Sequence, residues 1–183
     1  MKTLALLLAP GFEEVEAVTP LDFLRRAGIK VVSLGIGGRE VKGAHDITLY
    51  ADADIKNMKG SFDGVVIPGG MPGASNIAAS AEADALIREL FSAGKLVAAI
   101  CASPAVVLAP KGLLKGKKAT CYPGFEKDLQ NGGADYSGNR VVRDGSLITS
   151  RGPGTAAEFA FEVISYLEGP EAAKPIIEGT LQK

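Results

Sequence analysis

The sequence predicts an α/β protein, a three-layer, flavodoxin-like sandwich with a mostly parallel sheet and helices on both faces. Three observations predict it. Leu4–Leu8 and Leu96–Ile100 are short apolar runs without polar alternation, the pattern of strands buried on both faces, and Phe62–Ile67 reads as another buried strand. Helix-period segments lie between such runs, as βαβ units require. Glycine and proline fall at the junctions between runs, as in Pro10-Gly11 and Pro68-Gly69-Gly70, and act as punctuation.

Taken in order, Leu4–Leu8 is the first strand and stops at Pro10-Gly11. Glu13, Glu14 and Glu16 then open a helix whose first turn favours acidic residues. Val15, Val18, Leu21 and Leu24 have helical spacing; Pro20 is expected to split or bend this helix, and Gly28 to stop it. Ile29–Leu34 is the next strand, and Ile47–Tyr50 is another candidate. Phe62–Ile67 is a buried strand, Ala81–Ala93 a helix, and Leu96–Ile100 the most apolar strand, with Cys101 at its end. Ser103-Pro104 reads as a helix start. Lys118–Tyr122 is a weaker strand. Asp144-Gly145 between Arg140–Arg143 and Ser146–Thr149 signals a hairpin. A last long helix runs from about Ala156 to Leu167, and the tail after Gly169-Pro170 is short and helical. No repeat or linker interrupts the chain, so a single domain over residues 1–183 is expected.

Charge excludes several functions. The 20 Lys and Arg nearly cancel the 21 Asp and Glu, so nothing attracts nucleic acid or a membrane surface. The first apolar run is far shorter than the ~20 residues of a membrane helix, and it does not read as a signal peptide. The expected compartment is therefore the cytoplasm, where thiols stay reduced. Two cysteines and one histidine make a poor zinc site, and no metal is expected. The glycines at Gly35–Gly38 and Gly69-Gly70 do not complete a dinucleotide fingerprint, so no cofactor is expected either.

In such sheets sites form beyond the carboxyl ends of the strands. Three loops leave that edge: Pro10–Glu13, Pro68–Gly70 and Cys101–Ser103. Cys101, between a buried strand and a helix start, has the setting of a nucleophile elbow. A free thiol ionises near ~8.5, and a helix N-terminus is expected to lower that. The alternative is a buried core cysteine. The single histidine, His45, lies in a poorly patterned loop and is expected to play a surface or hydrogen-bonded role. A cysteine-histidine-acid triad, and with it protease activity, is not expected. Carboxylates remain. Glu13 and Glu16 share a helix face, while Glu14 points elsewhere and serves only the helix N-terminus. Glu16, if packed beside Cys101, would be desolvated, raised in pKa and able to pass a proton.

The stretches Ala9–Glu16 (APGFEEVE), Arg25–Val31 (RRAGIKV), Val66–Ala74 (VIPGGMPGA), Ala98–Pro104 (AAICASP) and Thr149–Thr155 (TSRGPGT) resemble the DJ-one/ThiJ/PfpI superfamily, on the branch of the parkinsonism-associated protein. Together they span nearly the whole chain in the family order. The resemblance implies that Cys101 is the reactive cysteine and Glu16 the carboxyl group on its sulfur. It implies that the N–H groups of Gly70 and Ala102 form an oxyanion hole. Glu13 becomes a pocket-entry residue, and Arg26 a residue reaching the neighbouring subunit's site in a homodimer. Tyr122 stands where many members have histidine, and Tyr50 where a relative has cysteine. Cys121 is read as packing first and as a redox partner second. The activity implied is cofactor-independent glyoxalase or deglycase chemistry on dicarbonyls such as methylglyoxal and glyoxal, or on their early glycated adducts. The alternative is a redox-sensing stress protein with chaperone-like protection, whose cysteine oxidises to sulfinate.

Overall fold

The computed structural model describes residues 1–182. The chain runs β1 (Thr3–Leu8), α1 (Glu14–Arg26), β2 (Lys30–Gly35), β3 (Glu40–Lys42), β4 (Thr48–Tyr50), β5 (Ala53–Asp54), β6 (Gly64–Ile67), α2 (Gly73–Ala79), α3 (Ala81–Ser92) and β7 (Leu96–Ile100). It continues through β8 (Lys118–Ala119), α4 (Glu126–Asn131), β9 (Asp135–Tyr136), β10 (Val141–Asp144), β11 (Leu147–Ser150), α5 (Ala156–Glu168) and α6 (Lys174–Gly179).

Seven strands form the main sheet in the order β10-β11-β7-β6-β1-β2-β5. Every pairing is parallel except β10 with β11. The apolar runs explain this: β6 and β7 are buried at every residue, and β1 at all but Thr3. Strand order reverses at the β1–β6 pair. From β1 the chain crosses to β2 on one side, and from β6 to β7 on the other. Right-handed crossovers therefore put α1 on one face and α3 on the opposite face. Helix α5 packs on α1, with the rings of Phe23 and Phe161 stacked at 5.4 Å between centroids. The reversal point is where loops diverge and a cleft opens, so β1, β6 and β7 all deliver their carboxyl ends to one place.

Four local expectations are corrected. Pro20 does not split α1; the helix runs continuously through it, and Pro20 is buried, so packing on the core offsets the lost backbone bond. Lys118–Tyr122 is a strand only at Lys118–Ala119, and it pairs with β9 outside the main sheet. The β10–β11 hairpin turns at Gly145-Ser146 rather than Asp144-Gly145, because Asp144 already pairs with Leu147 and Gly145 takes φ +63°. After Ser103 the backbone forms a wide π-type turn over Pro104–Leu108, then a tight turn over Ala109–Lys111, instead of an ordinary α-helix. No described helix is long and apolar enough to cross a membrane.

Candidate active site

Cys101 ends β7 with φ +66°, a left-handed conformation that an L-residue with a side chain enters at a cost of about 1 kcal/mol. Its surroundings hold it there. Its N–H donates to Ser150 O at 2.9 Å, and its carbonyl accepts from Tyr122 N at 2.9 Å. The next turn is pinned where Ser103 Oγ donates to Pro68 O at 2.6 Å. The elbow expected from sequence is present, and it turns the thiol out of the sheet toward the loop after β6. The residue is 8% exposed, so the thiol is largely desolvated.

Glu16, in the first turn of α1, meets it there with no exposure. Glu16 Oε2 accepts the Gly69 N–H at 2.8 Å, and Oε1 is buried with no partner. The N–H groups of Gly70 and Ala102 favour a charge on the Cys101 sulfur, and the Glu16 carboxyl group beside it opposes one. Gly70 takes φ +86°, and a Cβ there would lie 2.4 Å from Glu13 N, so glycine is required to aim that N–H.

Burial is the largest cause of two pKa shifts here. It pushes Glu16 up to about 7, with the Glu13 charge adding and the Gly69 N–H opposing. It pushes Cys101 up to about 12, with the Glu16 charge adding and the Gly70 and Ala102 N–H groups opposing. This corrects the expectation of a thiol depressed by a helix end: burial beside a carboxylate outweighs the backbone donors. The two groups titrate as a pair. The step near 7 removes the first proton, and the step near 12 would leave two buried anions in contact. Between them one charge and one proton are shared. The Gly70 and Ala102 N–H groups favour placing that charge on sulfur, and burial beside the Glu16 carboxyl group opposes it.

The sequence model of the DJ-1/PfpI family matches residues 2–166. The chain belongs to the DJ-1/PfpI family. It is 42% identical over 182 residues to protein dj-1beta of Drosophila melanogaster, covering 98% of this chain and 97% of that protein. It is 36% identical over 179 residues to the glutathione-independent glyoxalase DJR-1.2 of Caenorhabditis elegans, covering 97% and 95%. The fold superposes on oxidized Toxoplasma gondii DJ-1 with a TM-score of 0.94 at 38% identity, over 99% of this chain and 98% of that one.

All the site residues named from sequence fall inside the DJ-1/PfpI match. Glu13 sits beside the pair, its N–H donating to Gly69 O at 3.0 Å. Tyr122 lies next to Cys101 along the backbone and is 44% exposed at the rim. Arg26 is not brought to the site of its own chain; it closes α1 and pairs with Asp22 at 2.7 Å. Cys121 is fully buried, in keeping with packing. Tyr50 is exposed, and its hydroxyl donates to Glu40 Oε2 at 2.6 Å.

Two features escaped the sequence reading. Glu14 is not a mere helix-end charge. It is buried and accepts from His45 N at 2.6 Å, with His45 Nδ1 at 2.8 Å, and so ties the loop between β3 and β4 to α1. Burial opposes ionisation of Glu14, yet the His45 hydrogen bonds hold its pKa below the ordinary value. The same contacts raise His45. Glu13, Glu14 and His45 place candidate metal-ligand atoms within 4.8 Å of one another, but His45 Nδ1 is already engaged by Glu14. The second feature is Gly69, where a Cβ would lie 2.6 Å from Cys101 Cβ and 2.8 Å from Glu16 Oε2. Its signal was the paired glycine after β6, which did not reveal which glycine touches the thiol.

Proposed function

We propose that the protein is a cysteine-dependent glyoxalase- or deglycase-type enzyme acting on small reactive dicarbonyls, methylglyoxal and glyoxal, or on their early glycated adducts, in the cytoplasm. The observation that carries this reading is the elbow thiol of Cys101, packed together with the buried Glu16 carboxyl group against Gly69. Cys101 sulfur attacks the aldehyde carbon; the C–S bond forms, the carbonyl pair moves to oxygen, and the Glu16 proton follows it. The N–H groups of Gly70 and Ala102 hold the developing oxyanion. Glu16, now a carboxylate, takes the former aldehyde hydrogen as a proton and returns it at the neighbouring carbon. The aldehyde carbon is oxidised and the ketone carbon reduced, leaving a thioester of a 2-hydroxy acid. Water cleaves the C–S bond, giving the hydroxy acid and restoring the shared proton. The cycle uses no metal, organic cofactor or outside oxidant.

The test is loss of methylglyoxal with formation of lactate by purified protein. Cys101→Ala is expected to abolish both, and equal rates in wild type and variant would end the reading. Val15 and Val18 on α1 are 47% and 43% exposed, which supports a homodimer covering that helix and bringing Arg26 toward the partner's site. Sedimentation at micromolar concentration tests this.

A second reading is favoured by the same donors. The Gly70 and Ala102 N–H groups favour negative charge on the sulfur, and sulfinate oxygens formed there would carry such charge, so Cys101 can serve as a peroxide sensor. Two-oxygen addition at Cys101, diminished in Glu16→Gln, supports it; equal oxidation of Cys101 and Cys121 speaks against it.

A further inference from the structure

A cavity of about 230 Å³ opens beside the Cys101–Glu16 pair, walled by Tyr122, Pro123, Arg140, Arg151, Gly152 and Thr155. Its two cations differ. Arg140 is spoken for: it forks onto Glu158, with contacts of 2.7 and 2.9 Å to Oε1, and donates to Gly154 O at 2.7 Å. Arg151 donates only to Gly138 O, at 3.3 Å, and among the described residues no carboxylate lies within ion-pair distance of it. Glu126 and Asp128 of α4 share Cys121 with Arg151 as a neighbour but do not pair with it. The cavity therefore holds one uncompensated guanidinium, a group that takes carboxylates through two parallel N–H bonds.

Its position ties it to the reaction. Ser150 pairs with Ile100 across β11 and β7, so Arg151 and Cys101 leave adjacent strand ends side by side. Between cavity and pair stands Gly152. A Cβ on it would lie 3.0 Å from the Tyr122 ring and 3.9 Å from Glu16 Oε1, so Gly152 is the residue that separates the cavity from the carboxyl group. Glu16 Oε1 is the fully buried, unpartnered atom on that side.

We propose that this cavity is a subsite for a carboxylate carried on the substrate, with Arg151 as the residue that binds it. The favoured substrates are then α-oxoaldehydes, or adducts of them, that end in a carboxylate a short carbon chain beyond the carbonyl attacked. This deepens the reading above and rests on Cys101 being the reacting atom.

The test compares an α-oxoaldehyde ending in a carboxylate (dioxopentanoate) with its methyl ester, which removes the charge at the cost of one added methyl group. Protection of Cys101 from iodoacetamide, read by mass spectrometry on the Cys101 peptide, measures occupancy without turnover. In wild type the acid is expected to protect at about tenfold lower concentration than the ester, the worth of one charge-assisted pair. Added salt should shrink that ratio. Arg151→Gln should bring it near one, and Arg151→Lys should keep part of it. A wild-type ratio near one, a ratio indifferent to salt, or an undiminished ratio in Arg151→Gln would overturn the subsite. If Cys101→Ala leaves methylglyoxal loss unchanged while the ratio behaves as expected, the glyoxalase reading falls and the subsite stands.

Discussion

The Gly69 N–H donates to Glu16 Oε2 at 2.8 Å, from a residue so close to the thiol that any side chain on it would overlap Cys101 Cβ. One glycine thus seats the carboxyl group and leaves room for the sulfur. Gly69→Ala is expected to push the two apart. A clash with backbone-anchored atoms in a packed site costs about 1–3 kcal/mol. Thermal unfolding should show that loss, and iodoacetamide labelling of Cys101 at neutral pH should slow at least tenfold. Wild-type labelling in this variant would show that the close approach is incidental.

A second prediction concerns pH and stability. The Glu16 pKa stands at about 7 in the folded protein against an ordinary 4.5. A raised acid favours folding most when it is protonated in both states. That contribution is whole below 4.5 and is lost as pH rises through 7, because the unfolded chain releases its proton first. Glu16→Gln removes the titration. The variant should be more stable than wild type at pH 8 by up to about 3 kcal/mol, with the difference shrinking toward pH 4.5. Denaturant unfolding at several pH values measures this; a constant difference would contradict the raised Glu16.

His45→Ala tests the loop anchor. Glu14 keeps the His45 backbone N–H but loses the ring contact at 2.8 Å. The lost contact involves an exposed imidazole, so the loss of stability is expected to be small. Glu14 has a lowered pKa, so its contribution exists when it is ionised and disappears as acid protonates it. The variant should be less stable at neutral pH and equal to wild type in strong acid. Methylglyoxal turnover should remain, since His45 takes no part in the proposed chemistry.

Much of the architecture could be read from the chain because parallel strands buried on both faces leave unbroken apolar runs, as at Leu96–Ile100. The elbow was legible for a related reason: a cysteine between such a run and Ser103-Pro104 has few other places to point. Helix α2 was not legible, since Gly73, Ser75 and Asn76 give it no apolar period and its start is fixed by Gly73 N–H on Gly11 O and Ala74 N–H on Gly70 O. Strands β3, β5, β8 and β9 have two or three residues each, too few to show alternation. Glu14 was misread because helix-end acids are common and sequence spacing cannot show a partner 31 residues away. The thiol's titration was misread because the position of Cys101 suggested a helix dipole, while burial and Glu16 are properties of the folded site.

The account depends on one shared proton lying on Glu16 and the matching charge on Cys101. The rate of Cys101 alkylation by iodoacetamide across pH, read on the Cys101 peptide in wild type and Glu16→Gln, tests it most directly. Wild type should turn on near pH 7, where the pair gives up its first proton, and the variant should require a higher pH, because an amide is a weaker donor to the thiolate than a carboxylic acid. A shift to lower pH in Glu16→Gln would show that Glu16 is the anion and holds the thiol protonated, and would contradict the account.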